Sequence, residues 1–240
     1  MKNYKIILPG VPAYPSRGFL GWCTVALIES DKRVLFDTGS YGDRFQLLET
    51  LEKNGIRRDE IDIVFLSHLH YDHCINAELF PDSKILLSDR EWEYFESEEY
   101  KEVGDEVVPE GVIREFEDRI ETTGEEEEIA EGVEVVEFPG HTPGSSALLF
   151  NEILFTGDAV KNLWDFKNRS PPYPTFSDED LAVENYELVR EIAEIVVPGH
   201  DTPFSVNEER YLSDFNLLIE IETLREGIFR IKRRSEGKRM

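Results

Sequence analysis

The sequence predicts an α/β fold in which two β-rich halves, roughly residues 1–125 and 126–240, share one core as a single domain over 1–240. Three observations predict it. Short apolar, β-branched runs such as Ile61–Leu66 and Ile195–Val197 alternate with stretches whose apolar residues recur at helical spacing. A chain of 240 residues that is 40% hydrophobic has enough apolar surface to fill one core without a separate module. Loops rich in histidine and aspartate follow the apolar runs, which is where layered α/β folds place their sites.

Lys5–Leu8 and Thr24–Glu29 read as strands, and the Pro- and Gly-rich segment Pro9–Gly21 loops between them. Trp22 belongs in the core; Phe19 and Leu20, at the loop tip, suit either the core or a wall of a substrate pocket. Arg33–Phe36 is a third strand, closed by Asp37-Thr38-Gly39, where an isolated aspartate normally caps or turns the chain. Asp43 opens a helical pattern carried by Phe45, Leu47, Leu48 and Leu51, and Asn54-Gly55 ends it as a C-cap. The buried strand Ile61–Leu66 comes next, then a short helix after His73 that runs to Phe80 and stops at Pro81. Lys84–Leu87 is a strand, and Ser88 with Glu91 forms a capping-box signature for a helix carrying Trp92, Tyr94 and Phe95.

Residues 97–132 are acidic and weakly patterned, as a solvated face is, with Val112–Phe116 as an edge strand. Val133–Phe138, Ser146–Phe150 and Glu152–Thr156 are strands of the second half. Val160–Phe176 is long for a connection and holds Trp164, Phe166, Tyr173 and Phe176, a composition that suits a lid over a neighbouring site. The alternative is a surface loop whose aromatics plug back into the core. Ser177 caps a helix through Glu194, and Ile195–Val197 is a strand. Ser205 with Glu208 caps a last helix to about Glu226, packed through Tyr211, Phe215, Leu218 and Ile219.

The densest motif is Ser67–His73, Ser-His-Leu-His-Tyr-Asp-His, which sets His68, His70, Asp72 and His73 in the loop behind a buried strand. Any one of these would pass as loop polarity or as a core histidine. Their distribution decides otherwise: of five histidines in the chain three lie here, and the others, His141 and His200, sit in Pro-Gly-His turns after apolar runs. Asp158, in Thr-Gly-Asp after Ile153–Phe155, adds a carboxylate. Five imidazoles and two carboxylates at strand ends form a nitrogen and oxygen ligand set for two metal ions. Cys23 reads as core and Cys74 as a small apolar filler. They are far apart and in no CxxC context, so no disulfide framework is indicated.

From Asp37-Thr38-Gly39 through SHLHYDH, PGHTPG, FTGD and VVPGHD, the chain resembles the metallo-β-lactamase superfamily over nearly its whole length. The resemblance implies a four-layer αββα sandwich. It implies that His68, His70 and His141 hold a first metal, that Asp72, His73 and His200 hold a second, and that Asp158 bridges them. It also implies that Asp37 accepts a hydrogen bond from a ligand histidine and so fixes its tautomer. The expected cofactor is a pair of divalent ions, zinc first, with iron or manganese also suited to such donors.

The same resemblance points to a binuclear metal-dependent hydrolase that attacks a small ester, thioester or lactone with a metal-bridging hydroxide. Asp158 would set the spacing, and Asp72 would be placed to shuttle a proton. Class B β-lactamases often use a cysteine ligand where this chain has Asp158. Glyoxalase II-like thioesterases carry a helical C-terminal domain, and only 40 residues follow His200. Lactonases match in length and in PGHTPG but place a tyrosine three residues past the bridging aspartate, where this chain has Lys161; Tyr173 is a candidate substitute. The expected pocket thus takes in Phe19, Leu20, Lys161, Trp164, Phe166 and Tyr173. The alternatives are a phosphodiesterase or compact nuclease of the same fold, an iron-dependent sulfur dioxygenase, and a non-catalytic metal-binding module. The complete second set, with His73 and His200, counts against the dioxygenase.

The formal charge of −25, from 26 basic and 51 acidic residues, has the wrong sign for non-specific attraction of nucleic acid. The expected partner is a small-molecule substrate, anionic ones included, because two divalent ions leave a local surplus of positive charge. No window approaches a membrane span and the opening residues lack a signal-peptide pattern, so a soluble, cytoplasmic protein is expected. The basic tail, Arg230–Arg234 with Lys238 and Arg239, reads as a solvated terminus. A single glutamine, two methionines and 32% charged residues hint at a thermophilic source.

Overall fold

The structure, a computed structural model, describes residues 3–13 and 19–212. Strands β1 (Tyr4–Leu8), β2 (Val25–Glu29) and β3 (Arg33–Phe36) form an antiparallel meander, after which α1 (Arg44–Lys53) leads to β4 (Ile63–Phe65). β4 pairs parallel with β3 and, beyond α2 (Tyr71–Cys74), with β5 (Lys84–Ser88). Helices α3 (Asp89–Glu96), α4 (Glu99–Glu102) and α5 (Glu110–Ile113) then lead to β6 (Ile120–Thr123), which lies parallel to β5 at the edge of this six-stranded sheet.

Residues 124–127 carry the chain into a second sheet of seven strands. It begins with β7 (Glu128–Ala130), β8 (Val133–Glu137), β9 (Ser146–Phe150) and β10 (Ile153–Gly157), each pairing antiparallel with the next. Helices α6 (Leu163–Asn168) and α7 (Glu179–Ile192) follow, then β11 (Ile195–Pro198), parallel to β10, and the hairpin of β12 (Phe204–Ser205) and β13 (Arg210–Tyr211).

Successive strand residues point to opposite faces, and that alternation makes the layers. In β2, Val25 and Leu27 face a core shared with Leu47 and Leu51 of α1 and Phe95 of α3, while Ala26 and Ile28 face the other sheet. In β10, Ile153 and Phe155 face the interior of the sandwich, while Leu154 joins a third core with Phe166 of α6 and Val189 of α7. Both sheets are therefore covered on both faces, which is why β2 and β10 read as continuous apolar runs rather than alternating ones. These layers form the expected αββα sandwich. Phe36 anchors its middle, with ring centroids 6.0 Å from Phe65 and 5.9 Å from Phe155. Burying one such ring contributes about 1.5–3 kcal/mol over leaving it in water.

Backbone hydrogen bonds tie the two sheets together at one end. Thr24 donates its N–H to Gly199 O at 2.7 Å and its hydroxyl to Pro198 O at 2.6 Å, and Ser146 N–H donates to Ser67 O at 3.0 Å. At the other end the ties use side chains: Lys32 Nζ donates to Ile129 O, and Asp31 accepts from Glu131 N–H.

Two expectations are corrected here. Val112–Phe116 is not an edge strand: Pro109 caps the helical turn α5, and spacing of three residues brings Ile113 and Phe116 together in the core. The edge strand is β6 instead. Ser205 does accept a hydrogen bond from Glu208 N–H at 3.3 Å, as a helix cap would. The polar run after it makes a turn through Glu209, whose φ is +44°, and the chain returns as β13 with Tyr211 opposite Phe204. Phe215, Leu218, Ile219 and the basic tail lie outside the described residues. No described helix is long and apolar enough to cross a membrane.

Candidate metal centre

The residues singled out in the sequence come from the ends of five strands. Asp37 follows β3, His68 to His73 follow β4, His141 follows β8, Asp158 follows β10 and His200 follows β11. Ligand atoms of His68, His70 and His141 all lie within 4.8 Å of one another, and so do those of Asp72, His73 and His200. Asp158 stands between the two groups. Its Oδ1 is 3.3 Å from His73 Nε2 and 3.2 Å from His200 Nε2, and its Oδ2 is 3.4 Å from His141 Nε2. All seven side chains are buried or nearly so.

The pattern of hydrogen bonds shows which ring nitrogens are left over. His73 Nδ1 is 2.8 Å from Asp37 Oδ2, and His200 Nδ1 is 3.1 Å from Trp22 O; a carboxylate and a carbonyl only accept, so each Nδ1 carries the proton. In the neutral rings that metal binding requires, their Nε2 atoms hold the lone pairs. Among the site residues, His68 Nε2, His73 Nε2, His200 Nε2 and Asp158 Oδ1, and also His141 Nδ1, are buried without a hydrogen-bond partner. An unsatisfied buried polar atom costs about 1–3 kcal/mol, and a cluster of such atoms is a candidate site for cations. The donor set of imidazole nitrogen and carboxylate oxygen fits two divalent ions.

Asp37 holds the frame behind these ligands. It adopts φ +57°, uncommon for non-glycine residues though tolerated by aspartate better than by most, and its carboxylate accepts from Ser67 N–H at 2.8 Å and Ser67 Oγ at 2.9 Å as well as from His73. Burial pushes its pKa above the ordinary aspartate value, against the pull of the neighbouring His73. Burial likewise drives His68 and His141 well below the usual imidazole range, with adjacent imidazoles adding to the effect, so both rings are neutral. Burial alone would raise Asp158; Lys161, His200 and His73 overcome it and hold that carboxyl well below its ordinary value.

Two carboxylates that support the site escaped the sequence reading. Glu91 does not close a capping box: Ser88 Oγ accepts from Arg90 N–H, and Glu91 turns inward instead. It accepts from Leu69 N–H, between His68 and His70, at 2.9 Å, and from Thr142 Oγ1, beside His141, at 2.7 Å. One fully buried side chain thus fastens the two loops that carry the first histidine set. A signal was present, because Glu91 shares a helix face with Tyr94 and Phe95, where an acid has no place unless paired. Asp105 lies 2.9 Å from His70 Nε2 and comes from the acidic segment that reads as solvated, where nothing distinguishes it.

A cleft opens over the ligands, walled by Val11, Pro12, Phe19, Leu20, Val107 and Pro174. Lys161 lines it too, with Nζ 2.6 Å from Asp158 Oδ2 and donating to Tyr173 O at 3.2 Å. The other residues expected in the pocket are placed differently. Phe166 is fully buried between Tyr186 and Phe204, both with ring centroids 5.3 Å away, so its assignment to the pocket is corrected to the core. Trp164, on the opposite side of that short helix, is exposed and does not line the cleft. Tyr173 is half exposed and its ring lies 6.3 Å from that of Phe19 at the rim. Phe176 packs edge-on against His70 at 5.3 Å.

The profile of the metallo-beta-lactamase superfamily matches residues 17–200. The chain belongs to this superfamily. Among curated relatives in it, metallo-beta-lactamase domain-containing protein 1 of Xenopus laevis is 27% identical over 190 residues, 76% of this chain and 72% of that protein. An N-acyl homoserine lactonase of a Bacillus species is 29% identical over 167 residues, 65% of this chain and 62% of the lactonase. Among solved metallo-beta-lactamase folds, a variant of AiiA from B. thuringiensis with N-decanoyl-L-homoserine at its active site superposes with a TM-score of 0.63 at 20% identity, covering 83% of this chain and 92% of that one. AidC, a dizinc quorum-quenching lactonase bound to a product, has a TM-score of 0.58 at 19% identity, covering 74% and 72%.

Proposed function

We propose that this chain is a binuclear metal-dependent hydrolase of small esters, thioesters or lactones, with zinc as the first-choice ion. One observation carries the reading: the two oxygens of Asp158 face two different histidine sets, Oδ1 toward His73 and His200 and Oδ2 toward His141. A carboxylate so placed would serve both cation positions. His68, His70 and His141 would hold one ion, Asp72, His73 and His200 the other. When bound, such a pair acidifies a water to about neutral pKa and polarises a carbonyl oxygen, supplying the nucleophile that ester hydrolysis lacks at pH 7.

The residues of the chain do the rest. Val11, Pro12, Phe19 and Leu20 offer an apolar wall to the substrate's hydrocarbon part and exclude water from the reacting end. Lys161, the one lysine or arginine on the cleft wall among the described residues, supplies positive charge where an oxyanion or an anionic group would lie. Asp72, whose Oδ2 is 3.4 Å from His200 Nε2, lies at the cleft's edge and is placed to pass a proton to a leaving group. The kinship with lactonases supports this substrate class.

The test couples stoichiometry to turnover. Elemental analysis of saturated protein is expected to find two ions per chain, and a panel of p-nitrophenyl esters, acyl thioesters and lactones is expected to yield turnover that Asp158→Ala abolishes. Saturation at one ion, oxygen uptake with a persulfide, or turnover confined to bis-p-nitrophenyl phosphate would overturn the reading.

A further inference from the structure

We propose that Asp105 is a positioning residue that selects the tautomer of His70 and, through it, the nitrogen that this ring offers to a metal. The geometry leaves the carboxylate little freedom. Its Oδ2 lies 2.9 Å from His70 Nε2 and also accepts from the Tyr94 hydroxyl at 3.1 Å, while its Oδ1 accepts from Val107 N–H at 3.3 Å. Its own backbone N–H donates to Tyr100 O at 2.8 Å. The side chains of His70 and Asp105 are 4% and 0% exposed, so water does not compete for either.

An aspartate surrounded by donors on a phenol and a peptide is held as an acceptor, so the ring nitrogen facing it carries the proton. The lone pair of His70 is therefore on Nδ1, which lies 3.0 Å from His141 Nε2 inside the first histidine set. His70 is the reverse of His73 and His200, which donate through Nδ1 and present Nε2. Without an acceptor at Nε2 the ring would keep only its contact with His141 Nε2, which can donate to Nδ1 or accept from it, and one of the two neutral forms points a hydrogen into the cation position.

The same short segment does two further things. Val107 O accepts from Tyr71 N–H at 3.1 Å, at the start of the helix that carries Asp72 and His73, and the Val107 side chain walls the cleft. Residues 105–107 thus strap one ligand ring, one ligand helix and one substrate wall to each other. A substitution at Asp105 acts on the first histidine set directly, through His70, and on the second only by way of Val107, since His73 and His200 keep their own acceptors, Asp37 and Trp22 O.

The metal half of this inference rests on the two-ion reading above; the tautomer half does not. The test is nuclear magnetic resonance of isotope-labelled histidine ring nitrogens in chelator-stripped protein, for the wild type, Asp105→Asn and Tyr94→Phe. The expected wild-type result is a His70 protonated at Nε2. Asp105→Asn, whose amide can also donate, is expected to mix the tautomers or move the proton to Nδ1, and to weaken one of the two metal-binding steps about 10–100-fold in chelator competition. Tyr94→Phe keeps the carboxylate and is expected to keep the Nε2–H form. A wild-type His70 protonated at Nδ1 overturns the proposal whether or not Asp105→Asn folds, and so does a folded Asp105→Asn with unchanged tautomer and affinity. Because the ring is read without substrate, failure of the hydrolase reading would leave this result standing, and the reverse holds too.

Discussion

Lys161 Nζ and Asp158 Oδ2 lie 2.6 Å apart on one turn of chain, with side chains 8% and 2% exposed. A buried pair of this kind is weak evidence for net stability, but removing one partner strands the other's charge at a cost of about 3–5 kcal/mol. Lys161→Met is therefore expected to destabilise chelator-stripped protein by about that amount in urea unfolding. Saturating divalent metal should erase much of the difference, because ligands bound to the native state stabilise it by mass action and would neutralise the same carboxylate. An equal loss with and without metal would show that Asp158 is not what Lys161 serves.

Gly144 sits where the His141 loop meets the start of α3. A Cβ there would fall 2.0 Å from Glu91 N and 2.4 Å from Glu91 Cα, both backbone atoms that cannot rotate aside. Gly144→Ala is expected to cost at least about 1–3 kcal/mol and to weaken metal binding, since relief requires moving Thr142 away from Glu91. Gly111→Ala, in open space on α5, serves as the contrast and should be neutral or stabilise by about 0.4–1 kcal/mol. Thermal melts of both variants, with chelator competition for the first, decide the matter.

Neighbours on α6 should behave in opposite ways. Phe166→Ala empties a fully buried ring from the third core and is expected to cost about 3–5 kcal/mol, whereas exposed Trp164→Ala should stay within about 0.5 kcal/mol. Comparable losses for the two, measured by urea unfolding, would mean that Trp164 packs against something.

The thiols give a pH-dependent expectation. Burial pushes Cys23 up to about 12 from an ordinary thiol value of 9.0, and carries Cys74 well above that value too. Both stay protonated at pH 8, so folded protein should resist alkylation there and react only once urea exposes the chain. The sign for stability follows. As pH rises through the ordinary thiol range the unfolded chain loses protons that the folded one keeps, so the fold weakens as alkali is added. Rapid labelling of native protein at pH 8 would contradict the burial.

The clustering of the five histidines with Asp72 and Asp158 was legible in the sequence because histidine is scarce in this chain and each one follows an apolar run. Acidic residues are the opposite case. With 51 of them, Asp105 and Glu91 look like any other surface charge, and only the fold shows that both point inward. Glu91 left a trace in its helical register, whereas Asp105 left none, since its partner His70 is 35 residues away. Phe166 was misplaced for a related reason: an aromatic after a ligand suits a pocket and a core equally, and burial depends on contacts with Tyr186 and Phe204 much later in the chain. Ser205 and Glu208 show the limit of local signals, because the same hydrogen bond that starts a helix also closes a hairpin.

The sandwich is bound like a book, with its spine at the metal end, where Thr24 clasps Pro198 and Gly199 and Ser67 clasps Ser146. Its fore-edge, around Asp31 and Glu131, is fastened by side chains that solvent reaches easily. Breathing motions should part the fore-edge first. The candidate site then sits at the hinge line, where the two leaves are expected to move least, so the protein can loosen under heat or mild denaturant before the histidine-bearing loops change their spacing.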